Sequence, residues 1–376
     1  MMPQPAILQF GTSRFLLAHA DLFVSEALAT GEALGTIAVV QTTSSGESAA
    51  RIAALSREPH YPVRIRGLTD GTVIDEERSG GAISEALTAS TDWQRVRALA
   101  VTVQVIISNT GDRGYDLDPS DDAALLTDIE RLPKSFPAKL AVLLAHRFVT
   151  NRDVALSIFP CELVPQNGSR LRTLIEQLAL EWELPDEFRL WLNETCHFAN
   201  SLVDRIVAEP IAPVGAVAEP YALWAIEQQE GLVLPCRHPA ITLTDDLDRF
   251  EMLKLHLLNL GHSVLAEYWL KDQRRADETV REAMEDPQMR EAVETVWAQE
   301  VLPVFEADGR GEEARAYLDT VRDRFLNPFL KHRLSDIAGN HAEKKRRRFL
   351  PMVTRAADLG LAIEQPKLKA ALAEIS

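Results

Sequence analysis

The stretch Ala6-Ile7-Leu8-Gln9-Phe10-Gly11-Thr12-Ser13-Arg14-Phe15 governs how the rest of the chain is read. Residues 6–10 are apolar enough for a short buried strand. Gly11 makes a turn, and an apolar pattern through Phe23, Ala27 and Leu28 predicts a helix. Strand, glycine turn and helix are how a dinucleotide-binding unit begins. The G-x-G-x-x-G fingerprint is degraded, because Ser13 and Leu16 occupy the second and third glycine places. Ser13 is still small enough for backbone to approach a pyrophosphate, whose charge a helix N-terminus stabilises. Many α/β proteins start such a turn, so this stretch alone leaves function open.

Working outward, Thr36 to Gln41 reads as a second strand buried on both faces. Its end is where an acidic residue would hold the adenosine ribose. Here it reads Gln41-Thr42-Thr43-Ser44-Ser45-Gly46, with no carboxylate, which leaves NAD and NADP both open. Tyr61 to Glu76 alternate like an antiparallel hairpin turning at Asp70-Gly71. Val101 to Ile107 reads as a strand ending in Ser108-Asn109-Thr110, small polar residues where ligands bind in open α/β sheets. Leu140 to Leu144 and Ala155 to Phe159 read as further buried strands. Asn167-Gly168 reads as a turn or cap before a helix from Ser169 to Glu181. Short strands are expected around Tyr221 to Glu227 and Ala240 to Leu243.

From Asp248 strand signals vanish, and a helical pattern runs on with breaks at Pro287, Pro303 and Gly309 to Gly311. The pattern is α/β over 1–247 and mostly α-helical over 248–376, with the boundary near Leu247, which the length allows as two domains or as one large α/β domain with an appendage. At 376 residues, 46% hydrophobic and 26% charged, the chain reads as an ordinary globular protein. A formal charge of −16 argues against a general binder of nucleic acid or anionic membrane. No apolar run approaches the roughly 20 residues that span a bilayer. Without a basic N-terminal region, the expectation is no signal peptide and a cytoplasmic protein. Cys161, Cys196 and Cys236 lack metal or redox spacing and read as small buried residues. The acidic cluster Asp116 to Asp122 reads as a solvated loop with a helix start, and no metal is expected.

Asp248 to Ser263 reads as a helix with Thr244 or Asp245 as cap. Its leucines place it indoors, yet Lys254, Asn259 and His262 are embedded among them. Burial lowers an ammonium pKa, which makes a lysine a usable base near neutrality. At about 100° per residue, His262 lies about 80° from Lys254 and about 60° from Asn259, whereas Lys254 and Asn259 are about 140° apart. Two readings remain open here: a proton-transfer site, or a core helix with a snorkelling lysine and a hydrogen-bonded histidine. Asp204-Arg205 reads in isolation as a structural ion pair. Lys344-Lys345-Arg346-Arg347-Arg348 reads as a solvated helix face, or as a source of cations for an anionic substrate.

Taken in order, these blocks resemble the mannitol dehydrogenase family of polyol-specific long-chain dehydrogenase/reductases. The resemblance rests on Gln9 to Phe15 with Ala18-His19, Ser108-Asn109-Thr110, Cys161-Glu162-Leu163 with Asn167-Gly168, and Asn200 to Ile206. Lys254 with Asn259 and His262, and Arg324 to Pro328, complete it. It implies an expanded Rossmann-type dinucleotide-binding domain over 1–247 followed by a mostly α-helical domain over 248–376, with metal-independent hydride transfer between nicotinamide and a polyol or sugar-acid hydroxyl/ketone pair in the cleft between them. The cofactor it implies is NAD, with NADP open, held by Gly11, Thr12, Ser13, Arg14, Phe15, Gln41, Ser108, Asn109 and Thr110. It casts Lys254 as general acid/base, Asn259 as oxyanion stabiliser and His262 as substrate orienter, with Asn167, Asp204, His332 and Lys344 towards the substrate. Leu163 stands where mannitol dehydrogenases have an asparagine. That departure and the tail from Asn327 to Pro351 resemble the tagaturonate/fructuronate reductase type, so a hexuronate/aldonate pair is expected. The chain length and the Asn259 to His262 pattern also resemble mannitol-1-phosphate dehydrogenases, so a sugar phosphate is the alternative. The degraded glycine turn keeps a non-catalytic binding protein as a third.

Overall fold

A computed structural model describes residues 4–43, 46–111 and 113–375. The chain forms two compact units. The first comprises Met1–Arg64, Glu77–Ala218 and Ala222–Leu247; the second comprises Ile65–Glu76, Glu219–Tyr221 and Asp248–Ser376.

In chain order the strands are β1 Ile7–Phe10, β2 Ile37–Gln41, β3 Tyr61–Thr69, β4 Thr72–Gly80, β5 Ile83–Thr88, β6 Val105–Ser108, β7 Leu156–Pro160 and β8 Cys196–Phe198. Then come β9 Ser201–Asp204, β10 Val207–Pro210, β11 Ala216–Ala218, β12 Leu223–Glu227 and β13 Ile241–Thr244. The main sheet runs β5-β2-β1-β6-β7-β8 and all its pairings are parallel. Two smaller sheets run β10-β11-β3-β4 and β13-β12-β9. Both faces of a parallel sheet are covered, which is why β1, β2, β6 and β7 are buried at every residue. The chain steps outward from β1 to β2 and β5, then crosses back to β6 on the other side of β1, so the strand order reverses there. Ligand crevices open at such a switch point, beyond the strands' carboxyl ends.

Two predicted strands are corrected. Val101 and Thr102 end a helix, Ala89–Thr102, and the strand begins only at Val105. The buried guanidinium of Arg147 donates to the carbonyls of Ala100 (2.8 Å), Val101 (3.1 Å) and Val103 (2.8 Å), satisfying groups a helix end leaves open. Leu140 to Leu144 lies inside the helix Phe136–Asn151, capped by Ser135, whose Oγ accepts from the Ala138 N–H. A short apolar run does not distinguish a buried strand from a buried helix. The Asp70-Gly71 turn is as expected, both residues having positive φ (52° and 70°), as a two-residue hairpin turn requires.

In the second unit, Leu247–Leu253, Lys254–Asn259 and Leu260–Lys271 form one unbroken helical rod. Its middle segment is π-helical. The predicted caps are not used: the Thr244 hydroxyl accepts from the Asp246 N–H, and the helix starts at Leu247. Leu257, Leu260, Trp297, Phe325 and Phe349 sit in the core of this unit. A second π-helical segment, Val296–Val301, carries Trp297.

Candidate active site

At the carboxyl end of the main sheet, Gly11 has φ 115°, and a Cβ there would lie 2.5 Å from the Asn109 carbonyl oxygen. Only glycine lets the two strand ends approach this closely. Ser13 caps the next helix by accepting from the Leu16 N–H, and its hydroxyl donates to Asn109 Oδ1, each at 3.3 Å. Asn109 Nδ2 in turn donates to the Cys161 carbonyl at 2.7 Å. The Thr12 carbonyl accepts from Arg51. Arg14 is exposed, and Phe15 stacks on His19 at 4.7 Å.

Glu162 organises the β6 loop from 54 residues away. Only 3% exposed, its carboxylate accepts from Ser108 Oγ (3.0 Å), the Thr110 N–H (2.9 Å) and Thr110 Oγ1 (2.9 Å). Burial pushes its pKa up, and these hydrogen bonds hold it back. After β2, Gln41 is buried with Nε2 donating to the Thr43 carbonyl at 2.6 Å. Ser44 and Ser45, read as part of the ribose turn, lie outside the described residues. A cavity of about 320 Å³ opens here, lined by Thr42, Thr43, Thr110, Arg113, Lys134 and Lys139, among others. Burial lowers the Lys139 pKa to about 8. A bare-backbone turn, a capped helix start and a mixed polar cavity at one sheet edge fit a dinucleotide.

Asn167 is placed differently from its expected substrate role. Asn167 is 1% exposed, with Nδ2 donating to the Pro160, Glu162 and Ser201 carbonyls and Oδ1 accepting from the Gly168 and Ser201 N–H groups. Its amide is saturated by backbone, so it staples β7 to β9 and has nothing left for a ligand. Asp204 is buried beside Arg205, and both act electrostatically on the buried His19, whose pKa burial lowers to about 3.

The second unit gathers the other candidates around the π-helical segment. Main-chain bonding there runs i→i+5, so a residue five positions on sits roughly one turn above. Lys254 and Asn259, far apart round an ideal α-helix, therefore share one side of this rod. Trp297 Nε1 donates to the Leu257 carbonyl at 3.1 Å, tying one π segment to the other. Gly261 makes room for that ring, since a Cβ would lie 2.3 Å from Trp297 Cζ2. Lys254 is partly buried, and its charge opposes burial and Asp248, which together raise the Glu251 pKa.

His262 stacks on Phe325 at 4.3 Å and meets His332 edge-on at 4.8 Å. Burial, then the charges of His332, Arg348, Arg324 and Lys344, hold its pKa well below the usual imidazole value. It is a neutral imidazole amid cations. His332 is also lowered, chiefly by burial. Lys344 Nζ donates to the Ile337 carbonyl at 2.8 Å, and burial and Arg348 lower its pKa. Arg348 donates to the Asn259 carbonyl (3.0 Å) and Ser263 Oγ (2.8 Å), while His256 Nδ1–H donates to the Arg348 carbonyl (3.0 Å). Arg324 is engaged by a bidentate bridge to Glu219 at 2.8–3.0 Å, both nearly fully buried. Among the described residues, the printed partners of Lys344 and Arg348 are main-chain carbonyls and the Ser263 hydroxyl, with no carboxylate paired to either. Among the described residues, no group of three His, Cys, Asp or Glu side chains is arranged to hold a metal ion.

Sequence reasoning missed Glu162, Glu219 and the individual importance of Arg348. The first two act across 54 and 105 residues, and no local spacing marks them. The awkward angle between Lys254 and Asn259 was the one visible trace of the π segment.

Fold and site together define a protein with a parallel Rossmann-type unit and a helical unit in which buried imidazoles sit among lysine and arginine side chains. The family described as mannitol dehydrogenase Rossmann domain matches residues 5–233, and the mannitol dehydrogenase C-terminal domain matches 246–374. The chain belongs to the mannitol dehydrogenase family. It is 32% identical to an altronate oxidoreductase of Halalkalibacterium halodurans, over 92% of this chain and 69% of that one. It is 31% identical to an altronate oxidoreductase of Bacillus subtilis, over 94% and 75%. The fold is that of a D-sorbitol dehydrogenase (TM-score 0.83, 22% identity, 99% of this chain and 80% of that one). It is also that of Pseudomonas fluorescens mannitol 2-dehydrogenase, solved with NAD and D-mannitol (TM-score 0.74, 22% identity, 99% and 79%).

Proposed function

We propose that this chain is an NAD-dependent oxidoreductase acting on CH–OH groups, with a hexuronate/aldonate pair as substrate, without a metal. The bound nicotinamide supplies or accepts the hydride. Gly11, Thr12, Ser13, Arg14 and Phe15, with Gln41 and Ser108 to Thr110, hold the dinucleotide. Lys254 removes the hydroxyl proton in oxidation and returns it in reduction. The Asn259 side chain donates to the oxygen as its charge develops. His262, kept neutral and fixed on Phe325, orients the hydroxyl. Lys344, with Arg348 and His332 beside it, meets the substrate carboxylate.

The observation that carries this reading is the π segment. It sets Lys254 and Asn259 on one side of the rod, while Arg348 binds the Asn259 main chain. The names of the two bacterial relatives favour the sugar acid. The same cations at Lys344 and Arg348 suit a phosphate, which keeps a sugar phosphate as the second reading. A panel of hexuronates, aldonates, polyols and polyol phosphates with NADH, NADPH and their oxidised forms tests it. Turnover confined to hexuronates and aldonates is expected; turnover confined to polyol phosphates selects the second reading.

A further inference from the structure

Helix His341–Arg348 carries six basic side chains in eight residues, His341, Lys344, Lys345, Arg346, Arg347 and Arg348. Packing them on one short helix is costly unless an anion holds some of them. Its outer residues Arg346 and Arg347 are exposed, whereas Lys345 is only 4% exposed.

The anion is Glu267, on the same rod as His262 and Ser263. Its carboxylate accepts from His341 Nε2 at 2.7 Å and forms ion pairs with Lys345 Nζ at 2.9 Å and Lys271 Nζ at 3.0 Å. Lys271 also bridges to Glu374 at 2.9 Å, and Lys345 lies 3.6 Å from the same carboxylate. Glu267 is 6% exposed, and its partners hold it ionised. The two helices therefore meet at two points: Arg348 on Asn259 and Ser263 at one end, His341 and Lys345 on Glu267 at the other. Lys344 lies between these anchors.

We propose that Glu267 is a positioning residue that sets Lys344 and Arg348 for the anionic end of the substrate. This rests on the sugar-acid reading given above. Glu267 touches no reacting atom. A carboxylate can hold both His341 and Lys345 only while it is charged and long enough to reach both. Its removal leaves Lys344, Lys345 and Arg348 repelling one another, and the anion-binding end of the site loosens while the hydride-transfer end does not.

The test compares wild type, Glu267→Gln and Glu267→Asp. Two readouts are used: steady-state kinetics with a hexuronate and a neutral ketose, and hydrogen exchange of peptides covering residues 341–348. In Glu267→Gln we expect the hexuronate KM to rise roughly tenfold or more with kcat within about threefold, and the ketose KM and NADH Kd unchanged. Amides 341–348 should exchange faster, and Glu267→Asp should recover part of both effects. Equal KM increases for charged and neutral substrates, or unchanged exchange over 341–348, overturn the proposal. If wild type turns over no sugar acid, the substrate reading fails, and the exchange readout alone then decides whether Glu267 holds the helix. Should Glu267→Gln not fold, Lys345→Gln removes one arm of the clamp and must raise exchange over 341–348; no change there also overturns it.

Discussion

The guanidinium of Arg348 donates to the main-chain carbonyl of Asn259 at 3.0 Å, fastening the basic helix to the last residue of the π segment. A π turn leaves main-chain groups imperfectly bonded, and a cation at its end offsets that. The same bond fixes the backbone from which the Asn259 amide projects. Trp297 supports the segment from its other side through the Leu257 carbonyl.

Gly261→Ala tests that support. The added Cβ falls 2.3 Å from Trp297 Cζ2 and 3.2 Å from Phe325 Cε2, both in rigid rings. Overpacking of this kind costs about 1–3 kcal/mol. Urea unfolding should show that loss. Because Phe325 also carries His262, kcat should fall more than the NADH affinity.

Glu162→Gln tests the organiser of the β6 loop. An amide presents one acceptor oxygen where the carboxylate presents two, so part of the set from Ser108 and Thr110 is lost. One broken buried hydrogen bond costs about 1–3 kcal/mol. NADH titration by nicotinamide fluorescence should give roughly tenfold weaker binding, the equivalent of about 1.4 kcal/mol. Undiminished affinity would show that the loop does not depend on this carboxylate.

Asp21 gives a pH prediction. It is 1% exposed, its Oδ2 accepts from Gln9 Nε2 at 3.3 Å, and burial raises its pKa from 3.8 to about 7. Between these values the unfolded chain has released a proton that the folded chain retains. Stability from this group is thus complete below pH 3.8 and is lost as the pH rises through 7. Asp21→Asn should stabilise the protein at pH 8, by on the order of 1–3 kcal/mol, with little effect at pH 4. Urea midpoints at the two pH values measure it, and a loss of equal size at both would contradict the account.

Much of this was legible in the chain. Residues 6–15 announce a strand, a turn and a helix because a short run, apolar except for Gln9, ends at Gly11 and is followed by an apolar helical pattern. The helix at 136–151 was misread because five consecutive apolar residues satisfy a buried strand as well as a buried helix. Asn167 looked functional because its Asn-Gly context is polar, but its amide is consumed by five backbone bonds, which no sequence pattern reveals. Lys254, Asn259 and His262 were found as residue types; that Lys254 and Asn259 share one side of the rod depends on the π-helical segment, a departure that propensity and periodicity do not encode.

The central claim is that Lys254 exchanges the substrate proton. The direct measurement is hexuronate reduction followed at the nicotinamide absorbance for wild type and Lys254→Ala, with NADH affinity measured in parallel. General acid–base catalysis by a placed side chain contributes about 10²–10⁴-fold, so kcat should fall by that factor while the NADH Kd stays the same. A Lys254→Ala enzyme that turns over at the wild-type rate would contradict the claim.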